Sequence, residues 1–410
     1  MTRLKDVAEI LAGQSPPSDQ VDPLDSGLPF LQGNAEFGPR HPSARYECDI
    51  APKRAIAGDV LVSVRAPVGA VNVADRAFGI GRGLCAVRAH SIDPGYLWWW
   101  IQSTRSELES RATGSTFTAI TSATLGSLEL PDIPAHRQGA IADYLDRETA
   151  QIDTLIAKQT HLVSALRDRR REGIRSLVTR GLDPSAEFRA NPLPWADAIP
   201  AHWHALNIRR VAAMKTGHTP SRSNPEYWEN TIIPWFTLAD VWQLRDESQT
   251  YLGDTANTIS ELGLANSAAE LLPAGTVVLS RTASVGFTGV MPQPMATSQD
   301  FWNWVCGPRL LPEYLMYVFR AMRPHLLSLM IGSTHKTIYQ PIAAAIRIPL
   351  PPVDEQKTIV AEIERQTAKI DALIAKAQQF IALAKERRAA LITAAVTGQI
   401  DVTTGKTRAA

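Results

Sequence analysis

The sequence is poor in features that would set it apart from ordinary soluble proteins. Its 410 residues include only three cysteines, Cys48, Cys85 and Cys306, and no two of them form a C-x-x-C pair. This spacing excludes a disulfide framework and a cysteine zinc site, so we interpret all three as core residues. The aromatic cluster at residues 98–101 is too short to span a membrane, and residues 1–12 lack the apolar core of a secretion signal. We therefore expect a cytoplasmic protein without a membrane partner.

A strong charge of either sign is also missing. The 42 Lys and Arg residues nearly balance the 41 Asp and Glu residues, which leaves a formal net charge of +1. This balance argues against a wholly basic nucleic-acid binder. If DNA is the partner, local clusters of basic residues must bind its phosphates. The 45% apolar and 20% charged residues are typical of a globular protein. At about 100 to 200 residues per domain, the length predicts two to four packed units.

Motifs for catalysis are missing as well. The N-P-L-P-W stretch at 191–195 resembles an amino-methyltransferase motif only superficially, because no glycine-rich cofactor loop accompanies it. The G-K-T at 405–407 has Ile400 where a phosphate-binding loop needs its first glycine. Gly79, Gly81 and Gly83 are not spaced as G-x-G-x-x-G, and the nine histidines form no ligand cluster. We expect no catalytic site, no metal site and no directly bound cofactor.

What the chain does contain is an internal repeat. The strings TAQIDTLIAK at 149–158 and TAKIDALIAK at 367–376 agree at eight of ten positions, with an offset of 218 residues. The offset persists outward in both directions, and further upstream it drifts as loop lengths change. The order is variable region, repeated region, variable region, repeated region.

The repeated regions have a helical period. Apolar residues recur at alternating intervals of three and four from Leu145 to Leu166, and again from Ile363 to Ala384. This spacing is typical of a coiled-coil seam, and a helix over about 136–180 would be a rod of roughly 65 Å. Leu155, Leu162, Leu373 and Phe380 widen the apolar stripe enough to cover a neighbouring surface as well.

The nearest partner for each helix is its own repeat, so we predict that the two rods pack antiparallel. The variable regions contain short apolar runs between Gly and Pro turns, which favours β-rich globules with a few helices. The fold class is therefore α/β (α+β): two globular regions separated by two long antiparallel helices, with a pseudo-two-fold repeat. The predicted intervals are 1–133 and 201–351 for the globules, 134–182 and 352–400 for the helices, 183–200 for a linker and 401–410 for a tail.

Three loops with residues suited to DNA contact recur in both halves. Base edges are read by Arg, Lys, Gln, Ser or Thr on loops, while other basic and hydroxyl groups hold phosphates. The candidate DNA-binding residues fall after the first repeated glycine, after a short apolar run, and before each long helix. They are Gln14, Arg65, Ser115 and Thr116 in the first half, and His218, Thr219, Ser221, Arg222, Arg281, Thr282, Ser333, Thr334, His335 and Lys336 in the second.

Each candidate also has a structural interpretation. The repeated glycines suit turns, and the hydroxyls can cap helices or close turns. The basic run at 167–171 with Arg175 and Arg180, echoed by Lys385, Arg387 and Arg388, could face phosphates, a partner subunit or solvent.

The segments PDIPAHRQGAIADYLDRETAQIDTLI (131–156) and PLPPVDEQKTIVAEIERQTAKIDALI (349–374), with IGSTHKTI (331–338), carry a resemblance to a known family. Together with the alternating layout, they resemble the specificity subunit of Type I restriction-modification enzymes over nearly the whole chain. The resemblance implies that each globule is a target recognition domain for double-stranded DNA. It also implies that the helices dock two methyltransferase subunits, which supply S-adenosylmethionine, and that motor-nuclease subunits join them.

Because the two globules differ in sequence, the expected DNA target is bipartite and asymmetric. One departure from the family pattern stands out: the first half has no counterpart to residues 199–203 of the second, so its recognition domain could lack an opening strand. A coiled-coil adaptor that binds only proteins is the alternative, although it leaves the repeated loops unused. A self-sufficient nuclease or methyltransferase would need a motif that the sequence does not contain.

Overall fold

The computed structural model describes residues 2–113, 118–190, 193–332, 336–402 and 406–407. The chain divides into two compact units, of which unit 1 consists of Met1–Thr160 with Gln379–Ala410 and unit 2 of His161–Gln378. Within the described residues, no helix is long and apolar enough to cross a membrane.

Two long helices run through the repeated regions. The first long helix, Ala135–Arg180, has 46 residues and the second, Val353–Val396, has 44. Each begins directly after a Pro-containing segment, as the repeated prolines predict. Gly181 follows the first helix with a φ of 70°, and Gly398 lies just beyond the second with a φ of 76°. Glycine adopts this left-handed conformation without the steric cost of a Cβ, which is why both helices end there.

In unit 1 the two helices pack antiparallel. Leu145 of the first helix shares a core with Ile392 and Val396 of the second, while Asp153, two turns further along, pairs with Arg388. In unit 2 Val163 packs with Ile374, and Ile174 lies in the same core as Ile363. As one helix advances the other runs back in both units, which confirms the predicted antiparallel pairing.

The globular part of unit 1 is built on a four-stranded sheet. Ala8–Ala12 pairs antiparallel with Leu84–Ala89, which pairs with Val60–Ser63, which in turn pairs with Val71–Val73. A five-stranded sheet lies beside it in the order Asp22–Pro23, Tyr46–Glu47, Pro29–Leu31, Phe78–Ile80 and Arg54–Ala55. The helices of this part are Leu4–Val7, Pro94–Ser103, Arg105–Arg111 and Ser122–Gly126, with 3-10 turns at Ser18–Gln20 and Asn34–Glu36.

The globular part of unit 2 repeats this plan. Its four-stranded sheet has the order Ala212–Thr216, Phe301–Cys306, Val277–Ser280 and Thr288–Val290, and a three-stranded sheet consists of Thr258–Ile259, Ile233–Phe236 and Ala296–Thr297. Its α-helices are Glu261–Ala265, Pro312–Ala321, Arg323–Ser328 and Gln340–Ala344, and its 3-10 helices are Ile208–Arg210, Pro225–Trp228 and Leu238–Leu244. The mixed α+β architecture that the sequence predicts is confirmed.

The interval 183–200, which the sequence suggests is a linker, contains a small sheet. Phe188–Ala190 pairs antiparallel with Ala198–Pro200, and Ile199 is fully buried. Just after it, Trp203 is 1% exposed and its Nε1 donates a hydrogen bond of 3.0 Å to Glu355 at the start of the second long helix. The prolines prevent a helix here, yet they do not prevent apolar side chains from joining the unit 2 core.

The opening strand of unit 1 is present in a short form. In unit 2, His204–Asn207 pairs with Arg347–Leu350 in front of the second long helix. In unit 1 the corresponding contact is a bridge between Arg3 and Glu129, flanked by hydrogen bonds from Leu4 N to the Leu128 oxygen and from Leu130 N to the Thr2 oxygen, both 2.9 Å. Residues 2–4 therefore form, in short form, the opening strand that the sequence comparison predicted the first half could lack.

Candidate nucleic-acid interface

The candidate loops of unit 2 come together at one edge of its four-stranded sheet. We define the second loop cluster as residues 217–222, 281–283, 297–300 and 336–338. Of the predicted site residues, Ser333, Thr334 and His335, with Ser115 and Thr116 of the first half, lie outside the described residues. The others can be placed.

The first segment of this cluster packs closely on the third. Any Cβ at Gly217 would collide with the Thr297 carbonyl, so only glycine allows the approach. The backbone N–H of exposed His218 donates to the Thr297 oxygen at 3.0 Å, and Thr219 Oγ1 donates to Gln299 Oε1 at 2.7 Å. The segment 297–300 is thus part of the second loop cluster, although no sequence motif predicts it.

Arg281 lies at the centre of the second loop cluster. Its guanidinium lies 4.2 Å from the centre of the Trp302 ring, and its Nε donates to the Gln299 oxygen at 2.6 Å. Burial lowers the pKa of this guanidinium, and the neighbouring Asp300 carboxylate opposes the shift. A guanidinium has five N–H donors, and the bond from Nε uses one of them. The Trp302 ring and this bond therefore hold Arg281 in a fixed orientation while its outer edge can serve a phosphate or a base.

Thr282 and Lys336 have different surroundings. The Thr282 and Thr337 hydroxyl oxygens are 3.0 Å apart, and Thr337 Oγ1 also donates to the Arg281 oxygen at 2.8 Å. Thr282 therefore joins two loops of the cluster, whereas Lys336 is exposed. Thr282 therefore fits the structural interpretation, in which its hydroxyl holds loops together. The exposed Lys336 side chain is accessible for contact with DNA.

Ser221 and Arg222 form the outer part of the cluster. Ser221 Oγ lies 2.8 Å from Ser223 Oγ, and the Ser221 oxygen accepts a hydrogen bond of 3.1 Å from Trp228 Nε1. The exposed Arg222 guanidinium lies 5.5 Å from the centre of the Trp228 ring. Trp228 therefore supports a loop that presents Arg222 to solvent.

Unit 1 has an equivalent arrangement, the first loop cluster, made of residues 13–15, 65–68, 80–83 and 118–120. Gln14 is exposed and its N–H donates to the Ile80 oxygen at 2.9 Å, just as His218 bonds to Thr297. Arg65 is exposed and bridges to Ala119, as Thr282 does to Thr337. The predicted residues of each half that the structure describes therefore meet in equivalent clusters.

Sequence reasoning missed Arg82 in the first loop cluster. Its N–H donates to Ser15 Oγ at 3.2 Å, and its side chain is exposed. The flanking Gly81 and Gly83, which do not fit a dinucleotide motif, are needed because a Cβ at either would run into Gln32. The repeat could have identified this position, since Arg82 occupies the place of Gln299 in unit 2.

A family model for the type I restriction modification DNA specificity domain matches residues 1–162 and 200–381, each match covering one globular region and part of the long helix after it. The chain belongs to this family.

Two curated relatives are specificity subunits of Methanocaldococcus jannaschii. The putative type I restriction enzyme MjaX specificity subunit is 37% identical over 139 residues, which are 33% of this chain and 33% of the relative. The type I restriction enzyme MjaIX specificity subunit is 29% identical over 163 residues, which are 39% of this chain and 37% of the relative. The chain thus matches about a third of the length of these curated relatives.

Similarity of fold extends over more of the chain than similarity of sequence does. One solved chain, described as "Structural basis underlying complex assembly and conformational transition of the type I R-M system", aligns over 97% of both chains. Its sequence identity is 18% and its TM-score is 0.75. The chain therefore shares its fold with this solved chain over nearly its whole length.

The basic run on the first long helix is partly paired. Arg170 is 5% exposed and bonds to Asp371 at 2.6 Å. Arg171 pairs with Asp168 one turn away, and Arg175 lies 3.6 Å from Glu172. These ion pairs involve three of the six arginines in the run, which lie at 167, 169–171, 175 and 180. Among the described residues, no group of three His, Cys, Asp or Glu could hold a metal ion.

Proposed function

We propose that the chain is the DNA specificity subunit of a type I restriction-modification complex. The observation that carries the proposal is the presence of two loop clusters with the same backbone plan and different side chains. Arg65 and Arg82 belong to one cluster, whereas His218, Arg281 and Lys336 belong to the other. Such clusters would read two different half-sites, so the target is bipartite and asymmetric.

The long helices supply the docking surface for two methyltransferase subunits in this proposal. Four apolar side chains at heptad spacing remain exposed on them: Leu155, Leu162, Leu373 and Phe380, which are 46%, 43%, 51% and 41% exposed. Exposed apolar stripes of this kind mark protein contact surfaces. The methyltransferase subunits would bring S-adenosylmethionine and flip the target adenine, and motor-nuclease subunits would join them. The chain itself would be non-catalytic and would work on cytoplasmic DNA.

The test is to co-express the chain with its candidate methyltransferase subunit and to map adenine methylation across a plasmid at single-base resolution. We expect an interrupted two-part motif. Arg281→Ala and Lys336→Ala should weaken methylation at one half-site, and Arg65→Ala at the other. Lys215→Ala is the matched control, because Lys215 already pairs with Glu270 at 2.7 Å. The purified chain with S-adenosylmethionine alone should transfer no methyl group.

DNA binding at varied salt separates this function from that of a protein-only adaptor. Each cation that neutralises a phosphate steepens the dependence of affinity on salt by about one unit on a double logarithmic plot. Arg222→Ala and Arg82→Ala should each reduce the slope by about that amount. Assembly of the complex without salt-dependent DNA binding would instead favour the adaptor.

A further inference from the structure

One variable loop of each unit is held against the long helices by arginines. In unit 1 this loop contains Arg40, whose oxygen accepts a hydrogen bond of 2.7 Å from Val73 N. In unit 2 the Thr250 oxygen accepts the equivalent bond of 2.9 Å from Val290 N. The same sheet position thus anchors both loops, although their sequences have nothing in common.

In unit 2 two buried arginines bind the loop at 246–249. Arg320 is 6% exposed, and it donates to the Glu247 oxygen at 2.9 Å and also to the Gln249 oxygen. Arg170 is 5% exposed, and it donates to the Asp246 oxygen as well as to Asp371. Removing a cation from water is energetically unfavourable. Burial accordingly lowers the pKa of the Arg320 guanidinium. Because two buried arginines bind this one backbone segment, the position of the loop at 246–249 is important.

The loop of unit 2 is itself held in a special conformation. Glu247 has a φ of 59°, a region that a residue with a Cβ rarely adopts. Its carboxylate is 10% exposed and lies 3.6 Å from Arg323. The arginines therefore fix both the backbone oxygens of the loop and the Glu247 side chain.

Unit 1 fastens its loop by a different contact. There the loop supplies the cation: Arg40 Nη1 donates to Asp146 on the first long helix at 3.1 Å, and its guanidinium lies 4.7 Å from the Trp98 ring centre. Trp99 Nε1 donates to the same carboxylate at 2.9 Å. The repeat places Gln102 of unit 1 where unit 2 has Arg320. In unit 1, therefore, a basic residue of the loop binds an acidic residue of the first long helix. In unit 2, arginines of two helices bind carbonyl oxygens of the loop.

The clamped loop of unit 2 leads directly to the second loop cluster. Between them lies Leu238–Leu244, a 3-10 helix capped by Thr237, whose N–H donates to Asp240 at 2.8 Å. At the far end of this helix, Ser298 N donates to the Phe236 oxygen at 3.0 Å. A shift of the loop at 246–249 would therefore reach the segment that holds Gln299 and Arg281.

We infer that Arg320, on the helix Pro312–Ala321, and Arg170, on the first long helix, are positioning residues: they fix the second loop cluster within unit 2 so that only DNA with one gap length between the half-sites fits. Arg40 has the same role in unit 1, through its bond to Asp146. The inference rests on the proposed function and adds to it, since it assigns gap selectivity to residues that contact no DNA.

The experiment compares Arg320→Gln with the wild-type complex. Glutamine is the residue at this position in unit 1, so the helix tolerates it. Hydrogen exchange of the purified chain should show faster exchange at the Glu247 and Ser248 amides. Methylation should then be measured on plasmids whose target gap is native, one base pair shorter or one longer. We expect selectivity for the native gap to fall by at least about fivefold, the lower end of typical coupling between two sites.

Arg309→Gln is the matched control, because Arg309 is exposed in the same unit and donates only to the Arg210 oxygen at 3.2 Å among the bonds seen for its side chain. Arg40→Gln is the second variant, since a half-exposed residue can be replaced without unfolding unit 1, and it should relax gap selectivity too. Unchanged exchange at residues 247–248, or faster exchange with gap selectivity intact, would overturn the inference. A wild-type complex that methylates no DNA would refute the proposed function first, and the positioning role with it.

Discussion

Asp371 accepts a hydrogen bond of 2.6 Å from Arg170, and Asp153 lies 2.9 Å from Arg388. The repeat relates the two pairs, because Asp153 corresponds to Asp371 and Arg170 to Arg388. The same ion pair is therefore made once in unit 2 and once in unit 1, between opposite helices each time. This relationship explains why basic and acidic residues persist in a helix whose seam is otherwise apolar.

The two ion pairs should differ in their contribution to stability. Arg170 is 5% exposed, whereas the Arg388 side chain is 27% exposed and its partner Asp153 is 52% exposed. Removing one member of a buried pair costs about 3 kcal/mol or more, while a solvated pair contributes about 1 kcal/mol at most. We expect Arg170→Met to lower the free energy of unfolding by several times as much as Arg388→Met. Urea unfolding of both variants measures the difference, and equal losses would contradict the assignment.

A tyrosine in each unit fastens the end of a long helix. Tyr96 OH donates to the Val396 oxygen at 2.7 Å, and Val396 is the last residue of the second long helix. Tyr314 OH lies between the Pro349 oxygen at 3.2 Å and the Val178 oxygen at 3.4 Å. The last carbonyls of a helix have no partner within the helix, so these hydroxyls satisfy groups that would otherwise be buried alone.

Replacing each tyrosine by phenylalanine should lower the free energy of unfolding by different amounts. Tyr96→Phe removes one short bond and leaves a buried carbonyl unsatisfied, which costs about 1 to 2 kcal/mol. Tyr314→Phe should cost less than half as much, because its single proton serves two long contacts. The measurement is the free energy of unfolding of both variants. A larger loss for Tyr314→Phe would contradict this ranking of the two tyrosine hydroxyls.

The sequence predicts most of the architecture, because the helices carry their own period. The seam positions from Leu145 to Leu166 are buried or half-buried, and the antiparallel pairing follows from a helix that needs its repeat as a partner. The loop clusters follow from glycines, such as Gly13 and Gly217, that permit close contact between loops. Local pattern and repeat together were sufficient for these features.

Other features depend on distant contacts that no local pattern reveals. The partner of Arg170 can be identified only when the register of the two long helices is known. The hydrogen bond from Trp203 to Glu355 depends on how residues 183–200 fold against the second long helix. Arg82 and Gln299 lie in short segments without a motif, and they belong to the loop clusters because strand ends bring them there. The clamp formed by Arg320 was hidden for the same reason, since an arginine in an amphipathic helix is usually solvated.

The cysteines should react slowly in the folded protein. Burial raises the pKa of the Cys85 thiol to about 11, and burial with the nearby Glu313 carboxylate raises that of Cys306 to about 12. Because the thiolate is the nucleophile, alkylation at pH 8 should be at least about a hundredfold slower in the folded chain than in urea. Peptide mass spectrometry resolves the two sites. Fast alkylation of either cysteine would mean that it is open to solvent.

The same thiols make stability depend on pH at the alkaline end. Both pKa values are raised above the ordinary value of 9.0, so the folded state keeps protons that the unfolded chain releases. Their contribution is therefore full below about pH 9 and is lost as the pH rises through 11 and 12. Cys85→Ala should flatten part of this alkaline decline in the free energy of unfolding. An unchanged decline would assign it to other groups.

The exposed stripe on the long helices gives the last prediction. Leu162→Asp and Phe380→Asp should each weaken binding of the methyltransferase subunit by about tenfold or more, because a charge in the centre of an apolar contact must lose its water. Neither change should lower the free energy of unfolding appreciably, since both side chains are more than 40% exposed. Leu262→Asp is the matched control, as Leu262 is 46% exposed on a short helix of the globular part of unit 2. Titration of the purified partner against each variant measures the affinity. Equal affinities for all three variants would remove the stripe from the docking surface and leave the globular parts as its remaining location.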